Sequence, residues 1–431
     1  MVALRHYAEQ RFTCAQCGRC CRRGWDIAVT ASEVEGYRKA GAADWYTPTE
    51  EAATRTGTET DTGAVDPFEP IGGHAGHFRI RKRADGACGF LSPENRCRIH
   101  EHLGGARKPL TCRLFPFRFH PVEGKAVLSA SFCCPTVVAN EGEPVTAQLR
   151  PLSGLYNEWA RTYPEPKRSF ELVGGRPIPG GTVATVRDVL RTMLDHTDAE
   201  GRLDLAANVR RMAGFLDDIT RHRVVKLAPD RFAEYVELTG RYAAASDRPS
   251  PDRRASAVGR VLSRGFLFAV LAAREQLRSP ASGMRLGLRA RLTRLLAHTH
   301  GLGPGVGDVD LRGGRLVARG FEDPAVRDLV VHYLRAAVED LGTGRRPVVD
   351  ELVMAVALLN AALVFAAMRA GQAGRSAIDA ATLSEGLLET MDLAHAEPEG
   401  AYAKVLVSLA GGLDALWILG SNGRSVDAVS K

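Results

Sequence analysis

Apolar residues recur every three or four positions after residue 180, which is the spacing that lines one face of an α-helix. The pattern runs through five segments, separated by glycine and proline clusters, at residues 182–196, 200–219, 230–245, 324–342 and 348–371. Consecutive amphipathic segments of this kind are typical of a helical bundle. We therefore predict an all-α domain of about seven to ten helices over residues 181–431.

Shorter elements are predicted before residue 150. Residues 26–30 (DIAVT) and 77–81 (HFRIR) are typical of short strands. Either Thr30 or Ser32 can cap a helix over residues 32–41, because a hydroxyl at the helix start accepts a hydrogen bond from a free main-chain N–H group. The period of the apolar residues thus changes from about two to about 3.6 along the chain.

The first third of the chain also contains a turn and a polar insertion. Residues 88–100 predict a hairpin that turns at SPEN, residues 92–95. Residues 48–70 are polar, acidic and poor in bulky side chains, which is typical of a mobile excursion. The predicted fold class is α+β, with a small irregular domain over residues 1–150, a linker over residues 151–180 and the larger all-helical domain.

Membrane insertion and secretion are not expected from the apolar runs. The longest run, residues 352–368, is rich in alanine, contains Asn360 and falls short of the ~20 residues that span a bilayer. Residues 1–10 contain charged side chains and no apolar run, so we predict no secretory signal. A cytoplasmic protein with reduced thiols is the expectation, and a buried core helix is favoured over a membrane span.

Composition limits the classes of partner. The 431 residues include 57 Lys and Arg against 50 Asp and Glu, a formal net charge of +7. This mild surplus is typical of solvated, arginine-rich helix faces, and it does not indicate a nucleic-acid partner. Residues 76–120 are more basic, but they lack the interleaved aromatic platform of RNA-binding modules. We predict neither a nucleic-acid nor a membrane partner, and the sequence leaves the oligomeric state open.

The cysteines are confined to the first third of the chain, and four of the nine lie in FTCAQCGRCC, residues 12–21: Cys14, Cys17, Cys20 and Cys21. Spacing by two residues, with Gly18 between the second and third, lets a chain curl around one inorganic centre. The same spacing occurs in ferredoxin loops that hold a 4Fe–4S cluster, and it also suits zinc. Such crowding disfavours the alternative that these thiols are merely small buried hydrophobes.

The other five cysteines supply candidate remote ligands. Cys88 and Cys97 flank the predicted hairpin, and Cys112 precedes an Arg-x-Phe-Pro turn. Cys133 and Cys134 precede a proline, as the remote ligand of ferredoxin clusters does. Because nine thiols exceed the four that one zinc ion or one cubane cluster needs, either two centres are present or one centre leaves spare thiols. We favour two centres, and all nine cysteines are candidate metal ligands.

Other residues near the cysteines have two interpretations. Between residues 76 and 120 there are ten Lys or Arg and three Asp or Glu, and these cations either offset thiolate charge or cover ordinary surface. The arginines adjacent to cysteines are Arg22, Arg23, Arg113 and Arg118. Four histidines could replace a thiolate, namely His74, His77, His100 and His102. Packing roles are more common for such histidines. The aromatic and aliphatic residues expected to shield the centre are Trp25, Phe90, Leu91, Phe115 and Phe117.

Several enzyme classes are excluded by missing motifs. The chain contains no Ser-His-Asp order, no zinc-protease HExxH, no kinase set and no P-loop. Radical enzymes that use S-adenosylmethionine carry Cys-x3-Cys-x2-Cys, whereas here Cys17-x3-Cys21 is followed by glycine at position 24. That class is therefore rejected.

Three stretches resemble the YkgJ-type cysteine-cluster family, a zinc- or iron-chelating domain with a CxxCxxCC signature. They are FTCAQCGRCC, CGFLSPENRCRIHEHLGGARKPLTCRLFPF and FCCP, and together they cover roughly residues 10–136. The resemblance implies that the cysteines bind an iron–sulfur cluster or zinc.

A related cysteine domain occurs in flagellin lysine N-methylases, which this chain resembles at residues 24–27, Leu103-Gly104 and Cys134-Pro135. The tight CxxCxxCC spacing is more similar to the general branch of the family. The resemblance implies an S-adenosylmethionine-dependent protein-lysine N-methyltransferase with a protein substrate such as flagellin. The competing hypothesis is a non-catalytic module that zinc holds together, with the helices as an interaction surface.

Overall fold

The structure is a computed structural model, and it describes residues 3–23, 25–47, 66–72, 76–122, 125–163, 169–173, 175–245, 320–343 and 346–395. The chain divides into two compact units. Unit 1 contains residues 8–119 and 140–165, and unit 2 contains residues 2–7, 120–139 and the chain from Pro166 onwards. The predicted domain boundaries at residues 150 and 180 stay predictions.

Unit 1 contains a small sheet with the strand order β2-β4-β3. The strands are β2 (Ala28–Thr30), β3 (Phe68–Pro70) and β4 (His77–Ile80), and both pairings are antiparallel. Strands β2 and β4 confirm the two sequence predictions. Most of the predicted excursion lies outside the described residues, but its last three residues form β3.

Helix α1 (Ala31–Lys39) starts where β2 ends. Thr30 is its N-cap, and Glu33 completes a capping box, since each side chain binds the main-chain N–H group of the other. The predicted cap at Thr30 is confirmed. On the far side of this helix Tyr37 stacks on Phe68, with ring centroids 5.7 Å apart, so the capped helix is fixed against the sheet.

A shared core holds the sheet and α1 together. Its fully buried members include Val29, Val34, Ile80, Phe90, Leu91 and Ile99. Burying each large apolar side chain is worth about 1.5–3 kcal/mol. Phe90 and Leu91 are thus buried in this core, and the shielding role expected of them stays a prediction.

The segment after β4 turns sharply and then becomes helical. Asn95 N–H donates to Ser92 O at 3.1 Å, and Ser92 N–H donates to Arg96 O at 2.8 Å, which confirms the predicted turn. A single bridge joins the two arms, between Leu91 and Cys97, rather than extended strands. Three helices follow in this unit, namely α2 (Arg98–Leu103), α3 (Leu110–Leu114) and, later in the chain, α5 (Leu149–Thr162).

A second sheet has the strand order β1-β6-β5. The strands are β1 (Leu4–His6), β5 (Phe117–Val122) and β6 (Lys125–Ala130). Strand β1 runs parallel to β6, with Leu4 opposite Ala126. The sequence analysis predicted none of these three strands.

The remaining regular elements described in unit 2 are mainly helices. The helices are α4 (Pro135–Ala139), α6 (Gly180–Leu194), α7 (Leu205–Ile219), α8 (Pro229–Ala245), α9 (Pro324–Glu339), α10 (Val348–Gln372) and α11 (Ala380–His395). Each of the five segments with helical spacing forms a helix, so the mixed fold with a larger helical part is confirmed for the described residues. The predicted count of helices also concerns residues 246–319 and 396–431, which lie outside them.

Helix α10 is long and apolar enough to cross a membrane by length and composition, and 67 % of its most apolar window is buried within the structure. Leu359, Leu363 and Phe365 are at most 1 % exposed. Burial of this extent is typical of a core helix, which is the interpretation that the sequence favours.

Candidate metal centre

The nine cysteines are divided between the two units. Seven of them lie in unit 1: Cys14, Cys17, Cys20, Cys21, Cys88, Cys97 and Cys112. Cys133 and Cys134 lie in unit 2, where both are buried. The Cys133 thiol donates to Met391 O at 3.4 Å. All nine are free thiols.

Cysteines from four separate parts of unit 1 pack against one apolar core. Cys88 is a buried member of that core, and Cys21, Cys97 and Cys112 pack against it. The main chain reinforces this arrangement, since Cys88 N–H donates to Cys21 O at 2.7 Å. Cys20 Sγ lies 3.9 Å from Cys21 Sγ. The fold therefore gathers thiols that are up to 92 positions apart in the sequence, from position 20 to position 112.

The surroundings of Cys20, Cys88 and Cys112 raise the pKa values of these three thiols. Burial raises the pKa of Cys88 to about 11, and burial also raises that of Cys112 well above its usual range. The pKa of the Cys20 thiol is raised above its usual range by its contact with Cys21 and by burial. These thiols are protonated at neutral pH, so a metal that binds them has to displace protons.

Lys108 is a cation whose charge acts on several of the thiols. Burial of its ammonium group lowers its pKa, but the charges of Cys112, Cys97, Cys14 and Cys20 raise it by more, and the result lies above the usual value. Lys108 is half-buried, and a cation near thiols favours their thiolate form. The sequence analysis counted Lys108 only as part of a basic stretch.

The CxxCxxCC loop needs left-handed backbone at two positions. Gly18 has a φ of 70° and Gln16 a φ of 51°. A Cβ atom on Gly18 would lie 3.0 Å from both Cβ and Oδ1 of Asn95. Arg22 Nη2 donates to the same Oδ1 atom. The turn at residues 92–95 therefore holds the loop, while Cys14 and Cys17 stay exposed at its rim.

Glu33 fixes the helix that carries Cys112. Its Oε2 atom accepts from Thr30, and its Oε1 atom accepts from Leu110 N–H at 2.8 Å, at the start of α3. Thr111 Oγ1 adds a hydrogen bond to Ala28 O at 2.9 Å. One carboxylate thus serves the first turns of two helices, where negative charge is favourable.

Arg113 pairs with a carboxylate rather than with the thiols. Its guanidinium group binds both carboxylate oxygens of Glu158, and its Nε atom donates to Lys108 O at 2.9 Å. Arg23 lies over the ring of Trp25, 5.9 Å from the centroid. Among the cations predicted near the cysteines, these two arginines therefore have structural partners.

Aromatic side chains cover one side of the core. Trp25 is half-buried against it, with its ring centroid 5.4 Å from that of Phe115. Phe117 is 6 % exposed and makes an edge contact with Phe12. The covering role predicted for Trp25 is confirmed.

The histidines near the cysteines have packing contacts. His102 stacks on Trp45 with centroids 4.2 Å apart, and His77 lies against Tyr163. His100 is half-buried, and His74 lies outside the described residues. In the part of the chain that the structure describes, no three His, Cys, Asp or Glu side chains are grouped closely enough to hold a metal ion as they stand.

The donor set nevertheless fits a thiolate-bound metal. Four thiols at one apolar core and Cys20 beside them are soft ligands, and a nearby ammonium group offsets their negative charge once they are thiolates. Zinc and iron–sulfur clusters both use this type of ligand.

The comparison with protein families agrees with this chemistry. Residues 13–135 match the CxxCxxCC family, described as a "putative zinc- or iron-chelating domain". The match confirms the resemblance to the cysteine-cluster family for this part of the chain, and it leaves the link to flagellin methylases unconfirmed. No curated protein and no solved structure gives a significant match.

Proposed function

We propose that unit 1 is a metal-binding domain whose cysteine thiolates hold an iron–sulfur cluster or zinc. The observation that carries the proposal is the packing of Cys21, Cys88, Cys97 and Cys112 against a single apolar core, with Cys20 beside Cys21. Thiols that merely fill space in a core are not expected to come together from four chain segments beside an ammonium group. The family match of residues 13–135 supports the same function.

The proposed ligands form an inner and an outer group. The inner group is Cys20, Cys21, Cys88, Cys97 and Cys112. Cys14 and Cys17, which are exposed at the rim, form the outer group. Seven thiols exceed four ligands, so the number of centres stays open between one and two. Cys133 and Cys134 stay predicted ligands, and serine variants of each test them by metal content.

An iron–sulfur cluster of the 4Fe–4S type is the more specific proposal. Phe90, Leu91 and Trp25 exclude water from the inner thiols, and exclusion of water tunes the reduction potential of such clusters. When bound, the cluster would supply electron transfer, whereas zinc would supply folding free energy.

Metal analysis of the full-length protein, isolated without oxygen, tests the proposal. We expect a brown protein that absorbs broadly near ~400 nm and contains iron and acid-labile sulfide. A colourless protein with stoichiometric zinc would contradict the iron–sulfur proposal and retain the metal-binding domain, because d¹⁰ zinc has no such absorption. A protein that binds neither metal under reducing conditions would contradict both.

A zinc-stabilised interaction module is the second candidate. It is favoured by the small amount of regular structure in unit 1, where the strands have three or four residues. Domains of this kind gain much of their folding free energy from the metal. Loss of secondary structure in unit 1 upon chelation of zinc, with no redox-active species, is the expected result for such a module.

Methyl transfer to a protein lysine stays a prediction that rests on the resemblance to flagellin lysine N-methylases. It requires that the metal-loaded protein bind S-adenosylmethionine. Calorimetry with S-adenosylmethionine and with S-adenosylhomocysteine tests this requirement. Absence of heat with both compounds, on protein whose metal content has been verified, would remove the methylase hypothesis and leave metal binding intact.

A further inference from the structure

A cavity of about 320 Å³ lies beside the sheet of unit 1. Its lining includes Tyr46 and five charged side chains, namely Asp26, Glu69, Arg79, Arg81 and Lys82. The volume is in the range of sites for small molecules, and polar groups that converge in a cavity fix the orientation of a ligand.

Four of these five charges pair with one another. Glu69 lies opposite Arg79 in the register of β3 and β4, and its carboxylate accepts from Arg79 Nε. Arg81 Nη1 donates to the other oxygen of Glu69 at 2.8 Å. Asp26 Oδ2 lies 3.4 Å from Arg79 Nη1. These two arginines and two carboxylates therefore neutralise each other.

Lys82 carries the surplus charge. Its Nζ atom donates to Arg23 O at 3.2 Å, which is a neutral main-chain acceptor. Among the residues that the structure describes, Lys82 has no carboxylate partner. The lining of the cavity thus carries three positive charges against two negative ones.

The hydroxyl of Tyr46 is a second polar group that a ligand could satisfy. The Tyr46 side chain is 6 % exposed, and its ring makes an edge contact with Phe90 at 5.7 Å. A Cβ atom on Gly89 would lie 1.9 Å from Cε2 of Tyr46, so the ring lies directly on the main chain. Its hydroxyl has no hydrogen-bond partner in the described part of the chain. Buried hydroxyl groups in native proteins are normally paired, and an unpaired one destabilises the fold.

We propose that this cavity binds the carboxylate group of a small organic acid. A carboxylate matches the single surplus charge of Lys82, and it can accept a hydrogen bond from the Tyr46 hydroxyl. A neutral molecule leaves the surplus positive charge of the lining unmatched. Inorganic phosphate carries more charge than the cavity offsets.

Ligand-observed NMR on the full-length, metal-loaded protein tests the proposal with three probes: propionate, propionamide and inorganic phosphate. We expect propionate to bind with a Kd on the order of 1 mM, since a fragment of this size has few atoms to contribute. We expect no binding of propionamide at the same concentrations. Equal binding of the two, or tighter binding of phosphate, would overturn the assignment to a carboxylate.

Two variants locate the binding. Tyr46→Phe and Lys82→Met are each expected to weaken propionate binding about tenfold. The matched control is Lys39→Met, because Lys39 is exposed on α1, where it pairs with Glu35 at 2.6 Å. Full affinity in Tyr46→Phe and Lys82→Met would overturn the proposed site.

Measurements of folding and of metal content test this inference independently of the proposed metal centre. Tyr46→Phe keeps the ring and removes a hydroxyl without a partner, so its thermal midpoint without propionate is expected to equal or exceed that of the wild type. A lower midpoint would show that the hydroxyl already has a partner and would contradict the argument. Metal content is measured on the same samples, so a failure of carboxylate binding and a failure of metal binding are distinguishable.

Discussion

Gly18 in the CxxCxxCC loop lies directly against Asn95 in the turn that precedes Cys97. A Cβ atom at Gly18 would be 3.0 Å from Asn95 Cβ, and Gly18 also has a φ of 70°. Only glycine adopts this backbone freely and leaves room for the asparagine. The two cysteine-bearing segments are thereby packed together before any metal is considered.

Gly18→Ala is expected to destabilise unit 1 by about 1–2 kcal/mol and to lower its metal content, because the change adds both backbone strain and a steric conflict. The matched control is Gly36→Ala on α1, where a Cβ atom meets nothing within 4 Å. That change replaces a helical glycine and is expected to stabilise by about 0.5–1 kcal/mol. Urea unfolding and elemental analysis of both variants check the prediction, and similar effects at the two positions would contradict it.

Glu33→Ala is expected to destabilise unit 1 by about 2 kcal/mol, since it removes hydrogen bonds at the first turns of two helices. Because α3 carries Cys112, metal retention is expected to fall as well. Glu35→Ala on the same helix is the control, as Glu35 is exposed and pairs with the surface residue Lys39. Equal loss of metal in the two variants would contradict the role of Glu33 in placing α3.

Lys108→Met is expected to lower the affinity for metal about tenfold, which corresponds to ~1.4 kcal/mol. The reason is that the ammonium group offsets the charge of nearby thiolates. Competition with a chromophoric chelator measures the effect. An affinity equal to that of Lys39→Met would show that Lys108 is ordinary surface.

Stability in unit 2 is expected to depend on the ionisation of Glu351. Burial raises the pKa of this carboxyl, although hydrogen bonds from Thr343 and Gly342 N–H oppose the shift. A pKa that is raised in the folded state stabilises the fold below the unfolded pKa, near 4.3, and this contribution is lost as the pH rises through the folded value. Glu351→Gln is therefore expected to flatten the decline of the thermal midpoint as the pH rises above about 4. A constant difference from the wild type at every pH would contradict this assignment.

Local patterns in the sequence predicted much of the fold. The strand ending at Thr30, its cap, the turn at residues 92–95 and all five helical segments depend on neighbours within a few positions. The parallel pairing of β1 with β6 was not predicted, because it joins Leu4 to Ala126 and has no local signal. Two arms of a hairpin were expected where a single bridge forms between Leu91 and Cys97, because a helix begins at Arg98, directly after that bridge.

The chemistry of the candidate site was predictable in part. Cysteine spacing and the family resemblance identified the thiols, and the family match confirms the class of domain. The supporting residues were missed, because Glu33, Asn95 and Lys108 act across as many as 94 positions, the separation of Lys108 from Cys14, through contacts that only the fold creates. A capping box at Thr30 and Glu33 was readable from the sequence, but the second acceptor role of Glu33 was not.

Metal content of Cys112→Ser, compared with Leu110→Ala, tests the central claim most directly. Both residues lie on α3, and Leu110 is buried, so Leu110→Ala is expected to cost about 2–5 kcal/mol without removing a thiol. We predict that Cys112→Ser loses most of its bound metal, while the folded fraction of Leu110→Ala retains it at the wild-type ratio. Wild-type metal content in Cys112→Ser would contradict the assignment of the gathered thiols as a metal centre.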